Sequence, residues 1–158
     1  CGCYAVSDAR AYPKHPILAV SAAIIHDSRV LIVRRGRPPA AGFYTLPGGG
    51  VEAGETLHDA LRREVMEETA LAVEPVAIAG TRDIIARDSD GRVERHFVVL
   101  AFACRWIGGE LVLNDELTEA RWMRPEEITG LHTTAGLAEI VATAFRDIAG
   151  LQGGSQGS

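Results

Sequence analysis

Gly49–Leu71 reads GGVEAGETLHDALRREVMEETAL, a glycine turn running into a helix whose acids sit where apolar residues belong. At about 100° of rotation per residue, Glu64, Glu67 and Glu68 fall within roughly 100° of one another on the helix wheel. Leu57, Ala60, Leu61 and Val65 share that side, whereas His58, Asp59, Arg62 and Arg63 point elsewhere. The carboxylates therefore lie on or beside the apolar face, the reverse of a solvated charge run. Crowding them in partly dehydrated surroundings is costly, because like charges repel and each must shed water or take up a proton. Two arrangements relieve that cost. A hard divalent cation such as Mg2+ prefers such oxygen ligands; alternatively, the glutamates pair with Arg62, Arg63 or a more distant basic residue.

The letters around the acids resemble the Nudix box, in which a glycine, five residues, a glutamate and seven residues precede Arg-Glu-apolar-x-Glu-Glu-x-Gly-apolar; here Gly49, Glu55, Arg63, Glu64, Val65, Glu67, Glu68 and Leu71 fill it. Ala70 departs from the pattern. The family glycine at that place ends the helix at positive φ, a conformation that costs a residue with a Cβ on the order of 1 kcal/mol. The expectation is an altered helix end with the chemistry kept. The Leu46-Pro47-Gly48-Gly49-Gly50 run and Glu52 are also similar to family features. A match at this many fixed positions is far more specific than a lone glycine motif. The resemblance implies an α/β fold, the Nudix-type α/β/α sandwich with a mixed β-sheet between helices.

It also implies a reaction, Mg2+-dependent hydrolysis of a pyrophosphate bond in a nucleoside diphosphate linked to a moiety X, with Mn2+ as the alternative ion. Carried over by position, Glu64, Glu67 and Glu68 would ligate the metal, with a backbone carbonyl near Gly48 assisting. Glu67 and Glu68 would act in catalysis, Arg63 would steady a glutamate, and Glu55 would orient the network from outside. Its bland reading is a first-turn glutamate favoured by the helix dipole. A general base must stand within hydrogen-bond reach of the attacking water. Glu116 leads among the downstream candidates because Glu116-Leu-Thr-Glu-Ala-Arg-Trp122 resembles the family's loop, with Asp115 and Glu119 as rivals. Arg34 and Arg35, where a strand meets a loop, and Gly49 are the candidates for substrate binding. Tyr12, Phe43 and Tyr44 are available for base stacking but suit a core equally, and His96 reads as a packed or edge residue.

Substrate choice is less legible, because loops outside the box recognise X. In the family, ADP-ribose hydrolases often carry a proline past the box and diadenosine polyphosphate hydrolases a tyrosine; Val76 to Arg124 contains neither. The Tyr12-Pro13 opening and the Val33-Arg34-Arg35 strand end are nevertheless similar to small bacterial ADP-ribose pyrophosphatases, so ADP-ribose or a nucleotide sugar is preferred. The alternatives are a nucleoside triphosphate pyrophosphohydrolase of the house-cleaning type and a non-catalytic nucleotide-sensing domain. Such sensing domains often lose box acids, and all are present here.

Composition fits this reading. A chain of 158 residues, 47% hydrophobic, buries one substantial core, so residues 11–150 are expected to form a single domain between tails at 1–10 and 151–158. A net charge of -5 argues against a stable nucleic-acid complex and leaves a small-molecule nucleotide as the partner. No stretch approaches the roughly 18 apolar residues of a membrane span, and no signal-peptide pattern opens the chain, so the expected location is cytoplasmic. A homodimer, common among relatives, is a mild expectation. Cys1, Cys3 and Cys104 lack metal-ligand spacing, and Cys104 is expected to pack inside a strand. The chain begins with cysteine in place of methionine, which reads as a start inside a longer product.

For the rest, Ile17–Ile25 and Arg29–Val33 are expected to form a hairpin through His26-Asp27-Ser28. Phe43–Leu46 reads as a brief strand, and Thr56 as the cap of a helix running to about Thr69. Val76–Arg87 and Val93–Trp106 read as paired antiparallel strands around Asp88–Gly91. Trp122 sits in an extended piece, Pro125–Ile128 begins a short helix, and Ala135–Ile148 has amphipathic helical spacing.

Overall fold

The computed structural model describes residues 10–37 and 40–154. Strands β1 (Ile17–His26) and β2 (Arg29–Arg35) form the expected hairpin. Its turn residues Asp27 and Ser28 both take positive φ, 51° and 61°, the geometry whose twist matches the flanking strands. β1 and β2 pair only beside this turn, at Ile25↔Val30 and His26↔Arg29. Beyond it, β1 takes β4 (Gly48–Gly50) as its antiparallel partner, and β2 takes β3 (Tyr44–Thr45) and β7 (Leu117–Met123). The glycine run is thus held as a strand at a split in the sheet, and this split positions the site.

Helix α1 (Leu57–Thr69) is capped as expected, with Thr56 Oγ1 accepting the Asp59 N–H at 3.1 Å. β5 (Ala72–Arg87) and β6 (Val93–Gly108) form the long antiparallel pair, and β6 runs parallel to β1. The sheet order is β3-β2-β1-β6-β5, with β4 on β1 and β7 on β2. A 3-10 turn at Pro125–Gly130 and helix α2 (Leu137–Gly154) complete the chain.

Strand periodicity sends alternate side chains to opposite faces, and each face acquires one helix. Val20, Ala22, Ile24, Leu31 and Val33 pack on Ala60, Leu61 and Val65 of α1. Ala23, Ile25, Val30, Ile32 and Ala103 pack on Leu137, Ile140, Val141 and Ala144 of α2. This is the expected sandwich with a mixed sheet. Cys104 is buried in β6, where burial pushes its thiol up to about 12.

Three boundaries differ from the sequence reading. β5 begins at Ala72, ahead of Val76, because a bulge between Pro75 and Ala77 accommodates the proline on an edge strand. β7 begins at Leu117, well before Trp122. α2 continues to Gly154, past the expected helix end at Ile148 and into the expected tail from 151. The remainder of both expected tails, residues 1–9 with Cys1 and Cys3 and residues 155–158, lies outside the described residues. No helix among the described residues is long and apolar enough to cross a membrane.

Candidate active site

Glycine is required in β4 by what crowds it. A Cβ on Gly48 would strike the Val20 carbonyl and Ser21 backbone of β1, and a Cβ on Gly49 would strike the Glu64 carboxyl. Bare backbone therefore lets α1 bring its acids against the sheet split. The Gly48 N–H donates to Glu68 Oε2 at 3.1 Å.

Glu68 is only 4% exposed. Burial is the main cause that pushes its carboxyl up to about 8, the charges of Glu64 and Glu116 add to it, and the Gly48 N–H and Arg35 oppose it. Burial likewise raises Glu64, against the opposing Arg63, with Glu67 and Glu116 adding to the rise. Glu64, Glu68 and Glu116 therefore share one electrostatic neighbourhood although Glu116 comes from a distant loop.

Arg63 organises the other half. Its Nε donates to Glu55 Oε2 and its Nη2 to Glu55 Oε1, each at 2.7 Å, a fork-to-fork pair. Nη1 donates to Glu64 Oε1 at 2.9 Å, and Nη2 also reaches the Gly50 carbonyl at 3.1 Å. Glu55 accepts the Glu52 N–H as well. Its carboxyl is held down at about 2, first by Arg63 and then by that N–H. Arg63 is correspondingly raised, Glu55 being the largest cause. Glu55 is thus a member of the network and not an idle first-turn acid. Glu67 has a side chain 56% exposed and turns toward Arg63 Nη1 at 3.4 Å. Glu64, Glu67 and Glu68 do not converge on one point, and no group of acids, histidines or cysteines among the described residues is gathered closely enough to hold an ion.

The loop carrying Glu116 is fastened to the end of α1. The Val112 N–H donates to the Thr69 carbonyl and the Asn114 N–H to the Glu68 carbonyl, satisfying acceptors that a helix end leaves over. Asn114 Oδ1 accepts the Glu116 N–H at 3.0 Å, and the Glu116 carbonyl accepts the Gly36 N–H. Of the rival acids, Glu119 is bound to the Tyr44 hydroxyl at 2.6 Å and to Arg121, and Asp115, exposed like Glu116, is not among the charges that act on Glu64 and Glu68.

The remaining candidates divide between the two faces. Arg35 opposes the raised carboxyl of Glu68, whereas its neighbour Arg34 donates to the Gly42 carbonyl and lies over the Tyr44 ring. Tyr12 is engaged by Asp88 and Arg92, Phe43 stacks on His132 at 4.0 Å, and His96 is a half-buried strand residue. None of these three belongs to the acidic neighbourhood. Sequence reading passed over Asn114, although Asn-Asp-Glu is a turn signal.

The donor set around Glu68 is carboxylate oxygen, the ligand type of hard divalent ions. A buried acid opposed only by one N–H and one nearby arginine is stabilised as a carboxylate by such a cation. The donor chemistry of these residues fits that group, while their side chains are not gathered around one point.

The family model for the NUDIX domain matches residues 15–143. An ADP-ribose pyrophosphatase of Methanocaldococcus jannaschii is 37% identical over 108 residues, 68% of this chain and 62% of that protein. The nucleoside triphosphatase NudI of Salmonella arizonae is 38% identical over 91 residues, 54% of this chain and 64% of that protein. The aligned part spans less than two thirds of either relative. Among solved structures, a MutT protein from Methanosarcina mazei matches with a TM-score of 0.68 and 26% identity, covering 86% of this chain and 98% of the other.

Proposed function

Because the chain belongs to the Nudix family, we propose that it hydrolyses the phosphoanhydride of a nucleoside diphosphate linked to a moiety X, ADP-ribose or a nucleotide sugar, using Mg2+ or Mn2+. The observation that carries this reading is the buried Glu68 carboxylate beside Glu64 and Glu116 against the glycine strand. Glu64, Glu67 and Glu68 would hold the ion at β4. When bound, the ion neutralises diphosphate charge and makes an attacking water more acidic.

The chain's own residues divide the remaining work. Arg63 fixes Glu64 through a charge-assisted bond and is itself fixed by Glu55, so the acid meets its partner in one orientation. Glu116, tied by Asn114 to the helix end, takes the proton from water. Arg35 stands on the acids' side of the sheet to meet a phosphate oxygen. The substrate is a small-molecule nucleotide, the location cytoplasmic, and a homodimer the proposed assembly.

Hydrolysis of nucleoside triphosphates is the second reading, supported by the similarity to NudI. The test offers purified protein with Mg2+ a panel of ADP-ribose, nucleotide sugars, diadenosine polyphosphates and nucleoside triphosphates, with products identified. Cleavage within the diphosphate of the X-linked class is the expected result. Inactivity across the panel would overturn hydrolysis in favour of nucleotide sensing.

A further inference from the structure

An irregularity in the ladder between β2 and β7 sets the place of Glu116. The two strands pair in step from Val30↔Met123 to Arg34↔Glu119, and the next pair is Arg35↔Leu117, so Thr118 is the extra residue of a bulge. A one-residue step in register exchanges the faces of the side chains beyond it. Arg35 and Leu117 thereby share the α1 face, where Leu117 is buried in the core and Arg35 acts on Glu68. In an unbroken ladder Arg35 would oppose Thr118, and Leu117 would turn to the α2 face.

One step further, the Gly36 N–H donates to the Glu116 carbonyl at 2.9 Å. Glycine suits this close approach, because a Cβ at 36 would lie 2.9 Å from Thr118 Cγ2 and 3.3 Å from the Glu116 carbonyl oxygen. On the other side of the same residue, Asn114 Oδ1 accepts the Glu116 N–H at 3.0 Å, while the Asn114 N–H donates to the Glu68 carbonyl at 3.1 Å. Both backbone polar groups of Glu116 are therefore held, one from β2 and one by a residue bonded to the end of α1. Its exposed carboxylate has no side-chain partner among the described residues, so these backbone bonds decide where it projects.

We propose that Gly36 and Asn114 are positioning residues that set the Glu116 carboxylate beside Glu64 and Glu68, with the bulge at Thr118 fixing the register they need. The inference rests on the hydrolase reading and on Glu116 as the group that takes the proton from water, and it adds what holds that group in place. Asn114→Ala lowers kcat in Mg2+ about tenfold or more, the cost of a misplaced group, with KM little changed. Asn114→Asp keeps the accepting oxygen of the turn and restores most of the loss. Gly36→Ala acts in the same direction, and circular dichroism confirms that each variant folds. In a Glu116→Gln background, Asn114→Ala and Gly36→Ala lose their effect on kcat, because the group they place has already gone. Effects that persist undiminished in that background mark a merely structural role and overturn the inference, as does unchanged kcat in both single variants; hydrolysis is left standing in either case. If no substrate is turned over, hydrogen exchange at the Glu116 amide, read by NMR, tests the clamp without chemistry. Slow exchange that becomes fast in Asn114→Ala sustains the positioning while the hydrolase reading falls; fast exchange in the wild-type protein, or exchange indifferent to Asn114, overturns it.

Discussion

Glu55 and Glu68 belong to one sequence motif and sit in opposite electrostatic states. Glu55 meets Arg63 through two bonds of 2.7 Å, and its carboxyl is held at about 2. Glu68 is buried with the Gly48 N–H as its hydrogen-bond donor, and its carboxyl is raised to about 8. The fold has completed the first acid and left the second incomplete. An ion pair inside the structure explains Glu55. Leaving a buried acid without a full partner destabilises the folded state, so Glu68 makes physical sense as a group whose partner arrives with the substrate.

The largest effect that tests this contrast is on turnover. Glu68→Gln keeps shape and removes the charge, so kcat in Mg2+ falls at least about a hundredfold; Glu67→Gln, at the exposed edge of the same helix face, falls comparably. Unchanged turnover in both would break the assignment of function to this end of the motif. Glu116→Gln falls about a hundredfold if it takes the proton. Near-normal turnover removes Glu116 from the chemistry. Glu55→Gln acts through Arg63 and Glu64, so turnover falls only about tenfold while the melting temperature drops. A Glu55 variant as inactive as Glu68→Gln would erase the distinction between the two acids.

A smaller effect separates them by sign. Glu55 is depressed from an ordinary value of 4.5 to about 2, so its contribution to stability is present above about 4.5 and is lost as pH falls toward 2. Glu68 is raised from 4.5 to about 8, so the folded chain keeps a proton that the unfolded chain has released. Its contribution is present below about 4.5 and is lost as pH rises toward 8. Urea unfolding in a chelator should show stability declining across that upper window. Mg2+ should flatten the decline and leave the acid limb unchanged. Stability that rises through the same window without metal would contradict the state assigned to Glu68.

The sequence disclosed the parts of this site that follow a helix period or a fixed motif. Glu64, Glu67, Glu68, Arg63 and Glu55 were all legible because local spacing governs them. The strand core was legible too, since alternation and β-branched runs survive in any tertiary setting. What stayed hidden depends on which strands meet. Arg34 and Arg35 read as one basic patch, yet the period of two sends Arg35 toward Glu68 and Arg34 toward Tyr44. Glu116 and Glu119 lie in one short stretch, and only the pairing of β2 with β7 ties Glu119 to Tyr44 and leaves Glu116 near the acids.

The smallest expected effect concerns the place where this chain departs from its family's pattern. Ala70 ends α1 at φ 62° and ψ 14°, with its N–H bonded to the Met66 carbonyl. An alanine pays about 1 kcal/mol or more for that left-handed geometry. Gly109, at φ 88°, packs against the same turn so closely that a Cβ there would meet the Ala70 carbonyl at 2.5 Å. Glycine at 109 thus lets the neighbouring loop come close to the turn. Ala70→Gly relieves the strain, and the greater freedom of glycine in the unfolded chain offsets part of the relief. The net gain in the urea midpoint corresponds to less than about 1 kcal/mol, with turnover unchanged because Glu68 and its Gly48 bond lie before the turn. Lower stability in Ala70→Gly would mean that the methyl group packs usefully. Lower turnover would mean that the helix end and the acids are mechanically coupled.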